Sequence, residues 1–125
     1  MAPPTQTVIT LRQRPVKDVI PAFNSQDSTF NLLKDQPVPT QAELKDGEVV
    51  VRIEWCGIEP SMRAWLSDAR GYLPPVKIDE VMRSILLGTV VATKSTKFKV
   101  GDMCKGTGGW AEYMVLPAKE LSQVR

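Results

Sequence analysis

The stretch Cys56-Gly57-Ile58-Glu59-Pro60-Ser61-Met62-Arg63 carries the chain's densest set of reactive side chains: a thiol, a carboxylate, a hydroxyl, a thioether and a guanidinium. Tetrahedral zinc takes Cys thiolate, His nitrogen or carboxylate ligands. A Cys-Gly-x-Cys-His run would offer three such groups in one loop, but Glu59 stands where the second cysteine would be, and Ser61 and Met62 follow. The 125 residues contain no histidine and one further cysteine, Cys104. A zinc site would therefore need Cys56, Cys104 and two carboxylates, and no zinc is expected. A nucleophilic thiol wants an adjacent base, and no histidine is present to serve. The two cysteines are expected as buried thiols in a reducing compartment rather than a disulfide framework.

Composition narrows the class of partner. Net charge is +2, with 42% apolar and 24% charged residues. So small an excess of positive charge gives no footprint for nucleic acid or an anionic membrane. No apolar stretch approaches membrane-spanning length, and Met1 to Gln6 lacks the pattern of a secretory signal. The expectation is one cytoplasmic domain over residues 1–125.

The elements that must position the loop follow from periodicity. Thr7 to Leu11 is rich in β-branched residues and predicts a strand. Phe30 to Leu33 has weaker strand character, and Gln36 to Thr40 is a proline-rich connector. Asp46-Gly47 signals a turn that launches the clearest strand, Val49 to Trp55. There Val49, Val51, Ile53 and Trp55 alternate with Val50, Arg52 and Glu54, so one face should be buried. Pro60 suits the first turn of a helix. Met62, Trp65, Leu66 and Ala69 then form an apolar stripe, with Gly71 as a stop. Ile85 to Thr93 predicts a buried strand, Met103-Cys104 a short one, and Trp110 to Leu116 another alternating strand ended by Pro117. Short strands punctuated by glycine and proline, with one short helix, predict a mainly β fold: a small barrel or curled sheet.

Gly106-Thr107-Gly108-Gly109-Trp110-Ala111 fits G-x-G-x-x-A literally. A dinucleotide fingerprint needs a strand before it and a helix after it, whereas the following residues alternate like a strand. A glycine-rich turn inside an antiparallel sheet is expected. The Met62 and Trp65 stripe is expected in the core, with a cleft lining as the alternative. Glu59 is a lone carboxylate beside a helix start. Arg63 could meet a phosphate or stay solvated, and Tyr72, beside Pro74-Pro75, could donate its phenol to a carbonyl oxygen.

The run Glu59-Pro60-Ser61-Met62-Arg63, followed by Ser67-Asp68-Ala69-Arg70-Gly71-Tyr72-Leu73-Pro74-Pro75-Val76, resembles the N-terminal domain of zinc-independent medium-chain dehydrogenase/reductases. The nearest group looks like the NADPH-dependent alkenal and enone reductases of the leukotriene B4 12-hydroxydehydrogenase (prostaglandin reductase) type. Asp79 to Arg83, Phe98-Lys99-Val100-Gly101-Asp102 and Gly109-Trp110-Ala111-Glu112-Tyr113 match further family segments in order. The resemblance implies a GroES-like, partly open β-barrel with one or two short helices. It implies that this domain forms one wall of a cleft whose other wall, a separate Rossmann domain, carries NADPH. No Rossmann domain lies in this chain, so no cofactor is expected to bind these residues alone.

Within that resemblance, Ser61, Arg63, Tyr72 and Trp110 are the implied substrate-side residues, and the implied ligand is a hydrophobic enone or polyketide-like molecule. One departure stands out: the family commonly carries Asp-Pro-Tyr-Met-Arg, so Ser61 replaces a tyrosine that can contact substrate. The first functional expectation is part of an ene-reductase, inactive in redox chemistry without its nucleotide-binding domain. The second is a stand-alone barrel that binds small molecules or catalyses without a cofactor. The partner is then the missing Rossmann domain or a second copy of the chain.

Overall fold

In a computed structural model, residues 3–68 and 73–124 are described. Seven strands follow in order: β1 (Thr5–Leu11), β2 (Phe30–Pro37), β3 (Glu48–Cys56), β4 (Arg83–Thr93), β5 (Met103–Gly109), β6 (Tyr113–Pro117) and β7 (Ser122–Val124). Among the described residues the helices are three short 3₁₀ segments, Gln41–Glu43, Pro60–Leu66 and Ala118–Glu120. None is long and apolar enough to cross a membrane.

β1 and β2 form a two-stranded antiparallel sheet, and the other strands form a five-stranded sheet in the order β6-β3-β4-β5-β7. Bridges from Val8 to Ala111 and from Thr10 to Val81 lace the small sheet to the large one. The barrel is thus curled but not closed, the mainly β architecture expected.

Each strand departs from its simplest reading for a local reason. In β3, Val49 and Val51 enter one core cluster with Leu86, Val90, Phe98 and Leu116. Val50 enters another, on the opposite side, with Val38, Leu44 and Tyr113. A register shift between Ile53 and Trp55 places two β3 residues against one of β4. Such a bulge reverses the inside–outside phase. Trp55, expected on the buried face, is instead 70% exposed.

β4 is half-buried rather than buried: Ser84, Leu86 and Val90 point inward while Ile85 and Leu87 are exposed. The proline connector is partly strand, because Gln36 and Pro37 pair with Gln6 and Thr5. β6 begins at Tyr113, later than expected. Trp110 to Glu112 turn the chain instead, although Ala111 still bridges to Val8.

The glycine run is strand, not turn. Gly106, Thr107, Gly108 and Gly109 pair in sequence with Leu86, Ile85, Ser84 and Arg83 of β4. Close packing accounts for the glycines. A Cβ on Gly109 would sit 2.7 Å from Val81 Cγ1 and 2.8 Å from the Met82 carbonyl oxygen, and one on Gly108 would collide with Leu86 Cδ2. No helix follows to receive a pyrophosphate, so these residues do not fit a dinucleotide.

Candidate functional site

The loop leaving β3 is pinned on both sides of Ile58. Gly57 donates its N–H to the Ile85 carbonyl at 2.8 Å. The buried Ser84 hydroxyl donates to the Gly57 carbonyl at 2.8 Å. Glu59 then caps the 3₁₀ helix: its carbonyl accepts from Met62 N–H at 3.1 Å, with Pro60 in the first turn. The helix is shorter and tighter than the expected α-helix and gives way to extended backbone at Ser67. Ala69, Arg70, Gly71 and Tyr72 lie outside the described residues, so Tyr72 as a site residue and Gly71 as a stop have no structural counterpart here.

The apolar stripe is core. Met62 and Leu66 are buried with Leu11, Phe30, Val76 and Met82, and Trp65 and Trp110 pack against that cluster. Ser61 faces elsewhere, donating its hydroxyl to Glu59 Oε1 at 2.8 Å. Arg63 donates to the Pro15 and Lys17 carbonyls at 3.4 and 3.1 Å. Arg14 reaches back to the Leu66 and Val76 carbonyls, both at 2.9 Å. Two guanidiniums therefore tie the loop around residue 15 to the 3₁₀ helix, and the Arg63 guanidinium is committed to backbone rather than held open for a phosphate.

Trp110 is fixed at the turn after β5. Its N–H donates to Met82 at 2.9 Å and its carbonyl accepts from Ile9 at 2.8 Å. Its ring lies 5.2 Å from the Phe30 ring, tilted by 59°.

Two adjacent depressions meet at Trp110 and Ile58. The outer one, ≈460 Å³, runs between β1 and the end of β3, past Ile9, Ile53, Cys56 and Glu112. The inner one, ≈200 Å³, is walled by Phe30, Met62, Leu66 and Met82, with Arg63 and Glu59 at its margin. The structure thus brings Arg63 and Trp110 to one depression and leaves Ser61 outside it. A larger hollow of ≈870 Å³, along the loop that includes Arg14, Lys17 and Asp27, holds none of the sequence-predicted residues.

Sequence reasoning missed Ile58, Phe30 and Met82. An isolated apolar residue in a polar loop was the only signal for Ile58. Phe30 and Met82 come together with Trp110 only through the crossing of the two sheets.

Cys56 corrects a second expectation. Cys104 is buried, but Cys56 is exposed beside the outer depression, 3.8 Å from the Gly109 carbonyl. Partial desolvation pushes the Cys56 thiol pKa up, only partly opposed by the Ser84 hydroxyl. It is therefore mostly a neutral thiol near pH 7. Among the described residues, no group of three or more Cys, Asp or Glu is placed to hold a metal ion.

Known proteins share this fold. The family described as the N-terminal domain of oxidoreductase matches residues 9–124. The NADPH-dependent curcumin reductase of Escherichia coli (strain K12) is 32% identical over 89 residues, 71% of this chain and 25% of that protein. The crystal structure of CurA from Vibrio vulnificus superimposes with a TM-score of 0.78 at 31% identity, covering 95% of this chain and 32% of that one. CurA in complex with NADPH gives 0.74 at 30% identity, over 94% and 32%. The chain spans a quarter to a third of the length of these relatives. It belongs to the N-terminal oxidoreductase-domain family of the medium-chain dehydrogenases and reductases.

Proposed function

We propose that these 125 residues are a single GroES-like domain forming the substrate-side wall of an NADPH-dependent reductase. The reaction class is reduction of the C=C bond of α,β-unsaturated carbonyl compounds. The observation that carries this reading is the pair of apolar depressions meeting at Trp110. Small-molecule sites are largely apolar concavities with a few convergent polar groups. The named activity of the Escherichia coli relative and the NADPH complex of the Vibrio vulnificus protein support it.

In this reading Trp110 supplies a fixed aromatic face on which a conjugated substrate lies. Arg63 holds the loop around residue 15 in place and offers the depression its aliphatic stem. Ser61 orients Glu59 at the margin, and Tyr72 completes the substrate side. The apolar walls exclude water from the bound molecule. NADPH, the source of reducing equivalents, belongs to a separate nucleotide-binding domain, because the glycine run here is packed strand. The location is the cytoplasm.

The test mixes the chain with NADPH and 4-phenylbut-3-en-2-one and follows nicotinamide absorbance. The chain alone should oxidise no NADPH above the protein-free rate. Robust turnover by these 125 residues would overturn the two-domain assignment. A parallel titration of the chain with the enone, followed through the Trp110 indole signal by NMR, should show saturable shifts.

A further inference from the structure

We infer that Ile58 is a specificity-determining residue: it divides the two depressions beside Trp110, so that the inner one admits a single ring of the substrate. This rests on the proposed function, since it names the shape of molecule that the same site receives.

Ile58 is 82% exposed, yet it borders both depressions. An exposed isoleucine is unremarkable when it is scattered among polar residues. Here its backbone neighbours are held from both sides, Gly57 by Ile85 and Ser84 and Glu59 by Met62. The backbone that carries Ile58 is therefore held in place, and its side chain stands between the two depressions. Trp110 opposite it is equally fixed, by Ile9, Met82 and Phe30.

The inner depression is the smaller of the two. Its walls are Phe30, Met62, Leu66 and Met82, all buried and apolar. Its volume is ≈200 Å³. An apolar cavity of about 150 Å³ lined by aliphatic and aromatic side chains binds benzene. The inner depression accordingly suits one six-membered ring with a small substituent, and a fused bicyclic group would meet Ile58. The outer groove, ≈460 Å³, takes the remainder of the molecule. The ligand class is an enone with a single aromatic or alicyclic end group.

Because Ile58 is so exposed, replacing it leaves the packed clusters intact. The experiment titrates the chain and its Ile58→Ala and Ile58→Trp variants with three probes, following the Trp110 indole signal by NMR. The probes are 4-phenylbut-3-en-2-one, 4-(2-naphthyl)but-3-en-2-one and an open-chain enone with the carbon number of the first. The unaltered chain should favour the phenyl over the naphthyl probe by about tenfold, the scale of discrimination a methylene-sized change gives in an apolar pocket. Ile58→Ala should abolish that preference, and Ile58→Trp should weaken the phenyl probe by about tenfold while the open-chain probe changes little. If the probes bind and the variants leave these ratios unchanged, the partition role of Ile58 is overturned and the proposed function stands. If no probe moves the Trp110 signal in any of the three proteins, the substrate-wall reading itself is overturned, and this inference with it.

Discussion

Gly108 of β5 lies directly against Leu86 of β4, with no room between them for even a methyl group. Gly109 is as tightly placed, but its nearest neighbours include the Met82 backbone carbonyl. Flexible side-chain ends can shift, whereas backbone cannot without disturbing the sheet. Overpacking typically costs about 1–3 kcal/mol. Gly108→Ala should fall near the lower end of that range and Gly109→Ala at or above the upper end. Gly57→Ala is the control, since its nearest neighbour would be Ile85 Cβ at 3.7 Å. Urea unfolding of the three variants orders them. Equal stabilities for Gly57→Ala and Gly109→Ala would refute the close-packing account of the glycine run.

The Arg83 guanidinium sits over Trp65, 5.3 Å from the ring centroid, with its Nη1 buried and lacking an acceptor. A cation over an aromatic face contributes about 0.5–2 kcal/mol. A buried unsatisfied donor costs about 1–3 kcal/mol. The two effects nearly offset, so Arg83→Met should change stability by less than about 1 kcal/mol. Trp65→Ala removes ring packing as well, and should cost about 3 kcal/mol, the low end for truncating a packed aromatic. Thermal unfolding of both variants checks the contrast. A large loss in Arg83→Met would show that the guanidinium has a stabilising partner beyond Trp65.

How much could be read from residues alone follows the same divisions. The alternation in Val49 to Ile53 was legible because β3 keeps its register against β6 there, and the shift against β4 between Val50 and Val51 puts the extra residue in β4, not in β3. Trp55 was not, since a bulge depends on how β4 lies opposite, and nothing in β3's own composition marks it. The glycine run looked like a turn because glycine weakens isolated strands; its real cause, Leu86, Val81 and Met82 crowding from across the sheet, is non-local. Arg63 and Trp110 entered the candidate site through family resemblance, and their shared depression forms where Phe30 of β2 meets Met82, Trp110 and the 3₁₀ helix. Ile58 needed both depressions to be seen together.

Glu54 provides a pH-dependent test on the surface. Thr89 donates its hydroxyl to Glu54 at 2.9 Å and Arg52 adds a 3.1 Å ion pair. The Thr89 hydrogen bond first, and Arg52 second, hold the Glu54 carboxyl below its ordinary value of 4.5. A carboxylate whose pKa is depressed by folding stabilises the native state above the unfolded value. That contribution is full above about pH 4.5 and fades as pH falls through the lower folded value. NMR titration of the Glu54 side chain should give a midpoint below 4.5. Thr89→Val and Arg52→Gln should each move it upward. A midpoint unmoved by Thr89→Val would contradict the assigned causes.

The two thiols should separate cleanly under alkylation. Cys56 is exposed beside the outer depression, while Cys104 is buried in the main core cluster. Desolvation raises both thiols above the ordinary 9.0. Thiolate is the reacting form, so iodoacetamide should modify Cys56 slowly at neutral pH, with a rate still climbing above pH 9. Cys104 should react only on unfolding. The linkage has a definite sign: a thiol whose pKa is raised by folding leaves stability intact below the unfolded value and erodes it as pH rises through the folded one. Stability should therefore decline above about pH 9, and Cys104→Ala should flatten that decline more than Cys56→Ala. Mass spectrometry of the alkylated chain reads the first expectation, and denaturation across pH the second. Rapid labelling of Cys104 in the native chain would show that the main core opens far more readily than its burial implies.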